Sequence, residues 1–209
     1  MKRNLKKIIF TVSLGLFVLI AIEVFHKPAV KLDNIVYNFL SNNIISDTLT
    51  KFVKIITNLG GAIILIFLAI SSLIFIKNKK IGFCIILNLV FVTLLNLIIK
   101  NILQRERPTG FRLIEEGGYS FPSGHSMASM AFYGLIILYV YKYIENKYIK
   151  FFAISFFSIL ILGIGISRIY LGVHYTTDVL AGFLLSISYL IVYTSASKKY
   201  ILERAQNEE

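Results

Sequence analysis

The sequence predicts an all-α integral membrane protein: six spanning helices, with an amphipathic segment in the membrane interface between the first two. Three observations predict it. The 209 residues are 56% hydrophobic and 16% charged, with a mean hydropathy of +0.75. That is more apolar surface than a water-soluble domain of this length can hide. Six stretches, 8–25, 58–76, 81–99, 124–141, 149–166 and 176–195, approach the length of about 20 apolar residues that a bilayer crossing needs. The basic residues also cluster in the short segments that six spans would place on one side.

The first stretch follows MKRNLKK and reads as an uncleaved anchor, because no small-x-small cleavage site follows it before Glu23 and His26. Residues 26–57 are amphipathic. Val30, Ile35, Val36, Phe39 and Leu40 recur at near-helical spacing, and Lys31, Asp33, Asn34 and Asn38 interleave with them as a polar face. This predicts one or two helices lying in the outer interface. The third stretch contains Cys84, the single cysteine, which excludes an intramolecular disulfide or a cysteine-cluster metal site and reads as a small buried hydrophobe. The fourth opens on FPSGHSMASM, the fifth precedes SRIYLG and the sixth follows VHYTTD. There is no internal repeat, low-complexity run or Pro/Gly/Ser linker. Residues 1–209 therefore read as one domain, and nothing specifies an oligomeric state.

With the N-terminus inside, 13 of the 22 lysines and arginines fall on the inner side: Lys2, Arg3, Lys6, Lys7, Lys77, Lys79, Lys80, Lys142, Lys147, Lys150, Lys198, Lys199 and Arg204. The inner segments are also the shorter ones. The positive-inside rule then places both termini in the cytoplasm of a multi-pass cell-membrane protein. The net charge of +11 is read as topology signal plus attraction to anionic lipid heads, with no nucleic-acid partner.

In this topology three polar clusters meet at the outer ends of the third to sixth spans: KNILQRERP from Lys100, PSGH at 122–125, and SRIYLGVHYTTD from Ser167. Each suits a phosphate. Arginine forks bind phosphate oxygens bidentately and lysine adds a point charge, so Arg107, Arg168 and Lys100 together would neutralise one. Pro122 fixes the chain before a helix whose first-turn N–H groups attract anions; Gly124 admits a ligand close to the backbone, and Ser123 is a cap or a hydroxyl donor. His174 and Asp178, at i and i+4, share a face if the last helix has begun. The carboxylate would then fix the imidazole tautomer, leaving the other nitrogen free to attack phosphorus. His125 is a second imidazole, available to protonate the leaving oxygen. Glu106, Glu115 and Glu116 read as a solvated loop surface rather than a cation site.

These residues resemble the type 2 phosphatidic acid phosphatase superfamily, the lipid phosphate phosphatases. Its signature, Lys-x6-Arg-Pro, Pro-Ser-Gly-His and Ser-Arg-x5-His-x3-Asp, is matched with intact spacing from Lys100 to Asp178. Thr176 stands where many members carry proline. The resemblance implies a phosphohistidine enzyme without metal or cofactor. His174 would be the nucleophile, Asp178 its partner and His125 the general acid; Lys100, Arg107, Ser123, Gly124 and Arg168 would bind phosphate. Soluble vanadium haloperoxidases share the signature, but a six-span chain does not suit that function. The expected substrate is a membrane lipid phosphate presented at the outer face of the cytoplasmic membrane, first an isoprenoid pyrophosphate such as undecaprenyl pyrophosphate. The alternatives are phosphatidylglycerol phosphate or phosphatidic acid, transfer of the phosphate to another acceptor, or a catalytically silent lipid binder.

Overall fold

The computed structural model describes residues 3–27 and 29–202, with side chains over 4–27 and 29–197. The expected inner charges on Lys2, Arg3, Lys198, Lys199 and Arg204 lie outside those side chains. Among the described residues the regular structure is helical: α1 (Arg3–His26), α2 (Lys31–Asn43), α3 (Asp47–Asn58), α4 (Ala62–Phe75), α5 (Lys79–Leu103), α6 (Gly124–Tyr143), α7 (Lys147–Tyr170) and α8 (Thr176–Leu202).

Local chemistry sets the boundaries. Asn78 caps α5 by accepting from Lys80 N at 3.1 Å, and Asn146 caps α7 by accepting from Tyr148 N and Ile149 N at 3.0 and 3.1 Å. Ser46 caps α3 and Ser123 caps α6 in the same way. The amphipathic segment resolves into two helices, α2 and α3. Asp33, expected on the solvated face, is instead buried at 1% exposure, while Lys31, Asn34 and Asn38 of that face are exposed, as are the apolar Ile35 and Phe39.

α6 lies at the centre, packed on α5, α7 and α8, while α1 lies along α8, α4 along α5 and α3 along α7. One buried cluster joins Phe17 and Val24 of α1 to Val92, Met127 and Ala181; a second joins Leu65, Ile85, Phe132, Leu135, Ile161 and Ile164. Cys84 is buried, as a small core residue should be. Large apolar residues cover the outside: Ile8, Leu19 and Phe25 on α1, Phe67 and Phe75 on α4, Phe151, Phe152 and Phe156 on α7. Such a belt suits lipid, not water.

Four helices, α1, α5, α7 and α8, are long and apolar enough to cross a bilayer, and α3 with α4, bent by 40° at the break, passes as one broken span. The expected second span, 58–76, is thus shorter as a helix, since α4 has 14 residues. The expected fourth span corresponds to α6, which has the length, with 20 residues, but not the composition. Its first two turns carry Gly124, His125, Ser126 and Ser129. A helix enclosed by three neighbours touches little lipid and need not be apolar all round.

Candidate active site

Helix order brings the polar clusters together. The C-terminal ends of α5 and α7 and the N-terminal ends of α6 and α8 lie at one end of the bundle. Lys100 is in the last turn of α5, Arg168 in the last turn of α7, Ser123–Gly124–His125 at the start of α6 and Asp178 in the first turn of α8. Gln104, left-handed at φ 46°, ends α5 and begins the loop that carries Arg105 and Arg107. Gly172, at φ +72°, turns the chain from α7 toward His174. A Cβ there would lie 2.2 Å from the Phe111 carbonyl oxygen, so the turn requires glycine.

His174 is 2% exposed and sits just ahead of α8, not within it. Its Nε2 is 3.1 Å from Arg107 Nη1. A guanidinium only donates, so this nitrogen accepts and the ring proton resides on Nδ1. Nδ1 is 3.4 Å from Asp178 Oδ2 but 3.2 Å from Ser120 Oγ, and Ser120 donates to that Oδ2 at 2.5 Å. The shorter path from ring to carboxylate therefore runs through the serine hydroxyl. Asp178 Oδ2 also accepts from Tyr175 N at 2.8 Å, while Oδ1 accepts from Arg105 Nη1 at 2.5 Å. Burial, opposed by Asp178 and reinforced by Arg107 and Arg168, pushes the His174 pKa down to about 4. A neutral ring at physiological pH leaves Nε2 with a lone pair.

Three cations surround this ring. Arg107 is held by the Gly118, Val173 and Gly117 carbonyls at 2.9, 2.8 and 2.8 Å. Lys100 Nζ donates to the Tyr119 carbonyl. Arg168 is 1% exposed, donates to Thr57 Oγ1 at 3.0 Å and pairs with Glu116, while its Nε has no partner. Glu116 is therefore no solvated surface residue. Burial raises its pKa, but the Arg168 charge and hydrogen bond outweigh this and hold it below the ordinary carboxylate range. Glu106 and Glu115 are exposed, as expected of a loop surface.

Ser123 is fully buried as the α6 cap, and its backbone N–H donates to the Asp178 carbonyl at 3.1 Å. Asn96 donates to the Pro122 carbonyl at 3.0 Å and steadies the chain entering α6. Gly124 and His125 close one end of an apolar cavity of about 220 Å³ between α4, α5 and α6, lined by Leu65, Ile66, Leu89, Val92 and Met127. A second apolar groove of about 380 Å³, lined by Ile70, Ile86, Val90 and Leu94, shares Ile66 and Leu89 with it.

The expected site residues thus converge on one end of the bundle. Four others that sequence reasoning passed over join them: Ser120, Arg105, Thr177 and Asp33, each 5% exposed or less. Arg105 and Ser120 lie between the motif positions. In the sequence Asp33 reads only as part of the polar face of the amphipathic segment.

The family model for the PAP2 superfamily matches residues 80–201. Phosphatidylglycerophosphatase B of Bacillus subtilis (strain 168) is 36% identical over 183 residues, which cover 84% of this chain and 89% of that one. Undecaprenyl-diphosphatase of Sulfolobus acidocaldarius is 29% identical over 153 residues, 69% of this chain and 70% of that one. The crystal structure of a transmembrane PAP2 type phosphatidylglycerolphosphate phosphatase from Bacillus subtilis superposes with a TM-score of 0.82 at 28% identity, covering 91% of this chain and 96% of that one. The motif set, the helical frame and these likenesses agree: the chain belongs to the PAP2 superfamily and is a multi-pass membrane enzyme of its lipid phosphatase type.

Proposed function

We propose that the protein hydrolyses a lipid phosphate without metal, through a phosphohistidine on His174. One observation carries this reading. Arg107 marks His174 Nε2 as the lone-pair nitrogen, and Ser120 and Asp178 hold the proton on Nδ1. Nε2 attacks phosphorus, the bond to the leaving oxygen breaks, and His125 protonates that oxygen. Water then attacks the phosphohistidine, His125 takes its proton, and phosphate leaves. Lys100, Arg107 and Arg168 neutralise the phosphoryl oxygens, supplying the charge that a two-metal site supplies elsewhere. Ser123 and Gly124 shape the anion-facing start of α6. The Glu116 carboxylate stands where a phosphate oxygen would meet Arg168, and substrate replaces it.

The apolar cavity beside His125 supports a lipid: a hydrocarbon chain between α4 and α5 would reach the site from the bilayer side. Between the substrates weighed above, the more similar relative favours phosphatidylglycerol phosphate. Undecaprenyl pyrophosphate is the second reading, favoured by the Sulfolobus relative. A six-span reading, with α6 as the enclosed span, puts both termini on one side, and the distribution of basic residues favours the cytoplasm for the termini and the outer face for the site.

The test is phosphate release by purified protein from phosphatidylglycerol phosphate, phosphatidic acid and undecaprenyl pyrophosphate, with and without EDTA. Release that survives EDTA and falls with vanadate supports the reading. Loss in EDTA restored by Mg²⁺ overturns the metal-free mechanism, and labelled phosphate recovered on an acceptor other than water shows a transferase. A tag within 109–119 that is reachable only from the cytoplasm overturns the outward-facing site.

A further inference from the structure

Behind the nucleophile lies a second layer of buried charge that the phosphatase chemistry above does not use. Asp33, in the first turn of α2, accepts from Arg105 Nη2 at 2.7 Å, from Thr177 N at 2.9 Å and from Val30 N at 3.2 Å. The Thr177 hydroxyl donates to it at 2.8 Å. Arg105 is 4% exposed and lies over the Tyr175 ring, 4.1 Å from its centroid. Its Nη1 donates to Asp178 Oδ1 at 2.5 Å and to Thr177 Oγ1 at 2.8 Å. One guanidinium thus joins two carboxylates, one from α2 and one from α8, 145 residues apart in sequence.

Folding alone gives little reason for this. Three buried charges cost desolvation that well-packed apolar side chains avoid. The arrangement does two things for His174. Arg105 occupies Asp178 Oδ1, so that Oδ2 is the oxygen turned to Ser120 and the ring. Asp33 offsets Arg105. Two carboxylates and one guanidinium leave one unit of negative charge, which an isolated Arg105–Asp178 pair would not. When phosphorus bonds to Nε2 while Nδ1 keeps its proton, the ring becomes an imidazolium, and that unit of charge answers it.

We propose that Asp33 and Arg105 are positioning residues for the Asp178–His174 pair, Arg105 fixing the carboxylate and Asp33 keeping the cluster net negative for the phosphohistidine step. The amphipathic helix α2 is then part of the catalytic machinery as well as a membrane-surface element. This rests on His174 as nucleophile.

The experiment uses full-length protein in detergent: wild type, Asp33→Asn, Arg105→Lys, Arg105→Gln and the Asp33→Asn/Arg105→Gln pair. It reads kcat, KM and the rate of phosphohistidine formation from a ³²P-labelled lipid phosphate, with thermal unfolding in parallel. Asp33→Asn should slow phosphohistidine formation by about 10–100-fold while KM moves by less than about two-fold, the signature of a contact made in the transition state. Arg105→Lys should retain more activity than Arg105→Gln. The double variant should be no slower than Arg105→Gln, because Asp33 acts through the guanidinium. Wild-type rates in Asp33→Asn, multiplying losses in the double variant, or losses that track only the folded fraction overturn the proposal.

If wild type forms no phosphohistidine, the nucleophile reading fails and a substrate-free readout decides this one. In ¹⁵N-histidine-labelled protein, Asp33→Asn should move the His174 ring-nitrogen resonances more than those of His125 or His26. The charged groups facing His174, Asp178, Arg107 and Arg168, are unchanged in that variant. An unmoved His174 signal overturns the proposal.

Discussion

The site end and the middle of helices α5–α8 treat their buried polar groups differently. At the site end, charged side chains meet one another as well as carbonyls: Arg105 with Asp33 and Asp178, Ser120 with Asp178, Arg168 with Glu116, Arg107 with His174. Midway along the helices and beyond, polar side chains turn to backbone carbonyls. Tyr189 Oη donates to the Asn88 carbonyl at 3.0 Å, Tyr193 Oη to the Cys84 carbonyl at 2.6 Å and Asn88 Nδ2 to the Ala131 carbonyl at 2.9 Å. A hydroxyl that bonds a helix carbonyl satisfies itself locally and brings no charge into the bundle. A web of mutually dependent charges does not satisfy itself, and each deletion strands a partner. The contrast suggests a division between groups that serve the fold and groups that serve the proposed reaction, and variants at the two places should separate in the same way.

The largest separation is expected at His174. His174→Ala should abolish turnover, and Asp178→Asn should leave a small residue, a loss on the order of 10²–10⁴-fold as for other imidazole–carboxylate pairs. A folded His174→Ala protein releasing phosphate near the wild-type rate would erase the distinction between the site end and the middle of the bundle. The same ring sets a pH limb. Its neutral form is the proposed nucleophile and its pKa is pushed down to about 4. So on a pyrophosphate, where the His125 proton matters least, kcat/KM corrected for the substrate's second ionisation near about 6 should hold from neutrality to about pH 5 and fall roughly tenfold per unit below pH 4. A limb near the ordinary histidine pKa of about 6.5 would mean that His174 is far better solvated than its surroundings indicate.

Next in size is His125. A general acid matters in proportion to how poor the leaving group is. A lipid monophosphate expels an alkoxide, whose conjugate acid is close to water at about 15.7. A pyrophosphate cleaved at its terminal phosphorus expels a phosphate monoester, with a second pKa of about 6. His125→Ala should therefore lose most of the about 10²–10⁴-fold of acid catalysis on monophosphates and clearly less on pyrophosphates of the same tail. Equal losses on both would make His125 a binding residue.

How much of this was legible beforehand follows the same division. Lys100, Arg107, Ser123, Gly124, His125, Arg168, His174 and Asp178 stand at motif spacings, and the helices were visible as apolar runs. The helix count was less so: α6 is too polar for a lipid-exposed span because its neighbours cover it, and α4 is short because the chain bends at Gly60–Gly61. Asp33 and Arg105 were hidden for a different reason. Their partners are 72 residues or more away in sequence, and no local period links them. Asp33 turns into the bundle while Lys31, Asn34 and Asn38 of the same expected face are exposed, so an amphipathic pattern does not say which single polar residue finds a buried partner.

The finest test removes a single hydroxyl at each place. Ser120→Ala takes away the group between His174 Nδ1 and Asp178 Oδ2 and leaves the direct 3.4 Å contact, which is too long for a good hydrogen bond. It should slow turnover by about 10-fold or more with little change in KM, since the tautomer and the nascent imidazolium lose their nearest acceptor. Tyr189→Phe deletes the same atom type midway along α8. The ring remains to stack on Tyr193, whose centroid is 5.6 Å away, and what is lost is one donor to the Asn88 carbonyl. A neutral hydrogen bond of this kind contributes about 0.5–1.5 kcal/mol, so unfolding should shift by no more than that. Turnover should stay within about two-fold of wild type, because Tyr189 touches none of the groups around His174. Kinetics and thermal unfolding of the two variants side by side decide the matter. A tenfold loss of turnover in Tyr189→Phe at unchanged stability would show that the middle of the bundle transmits to the site, and the division drawn between the two places would not stand.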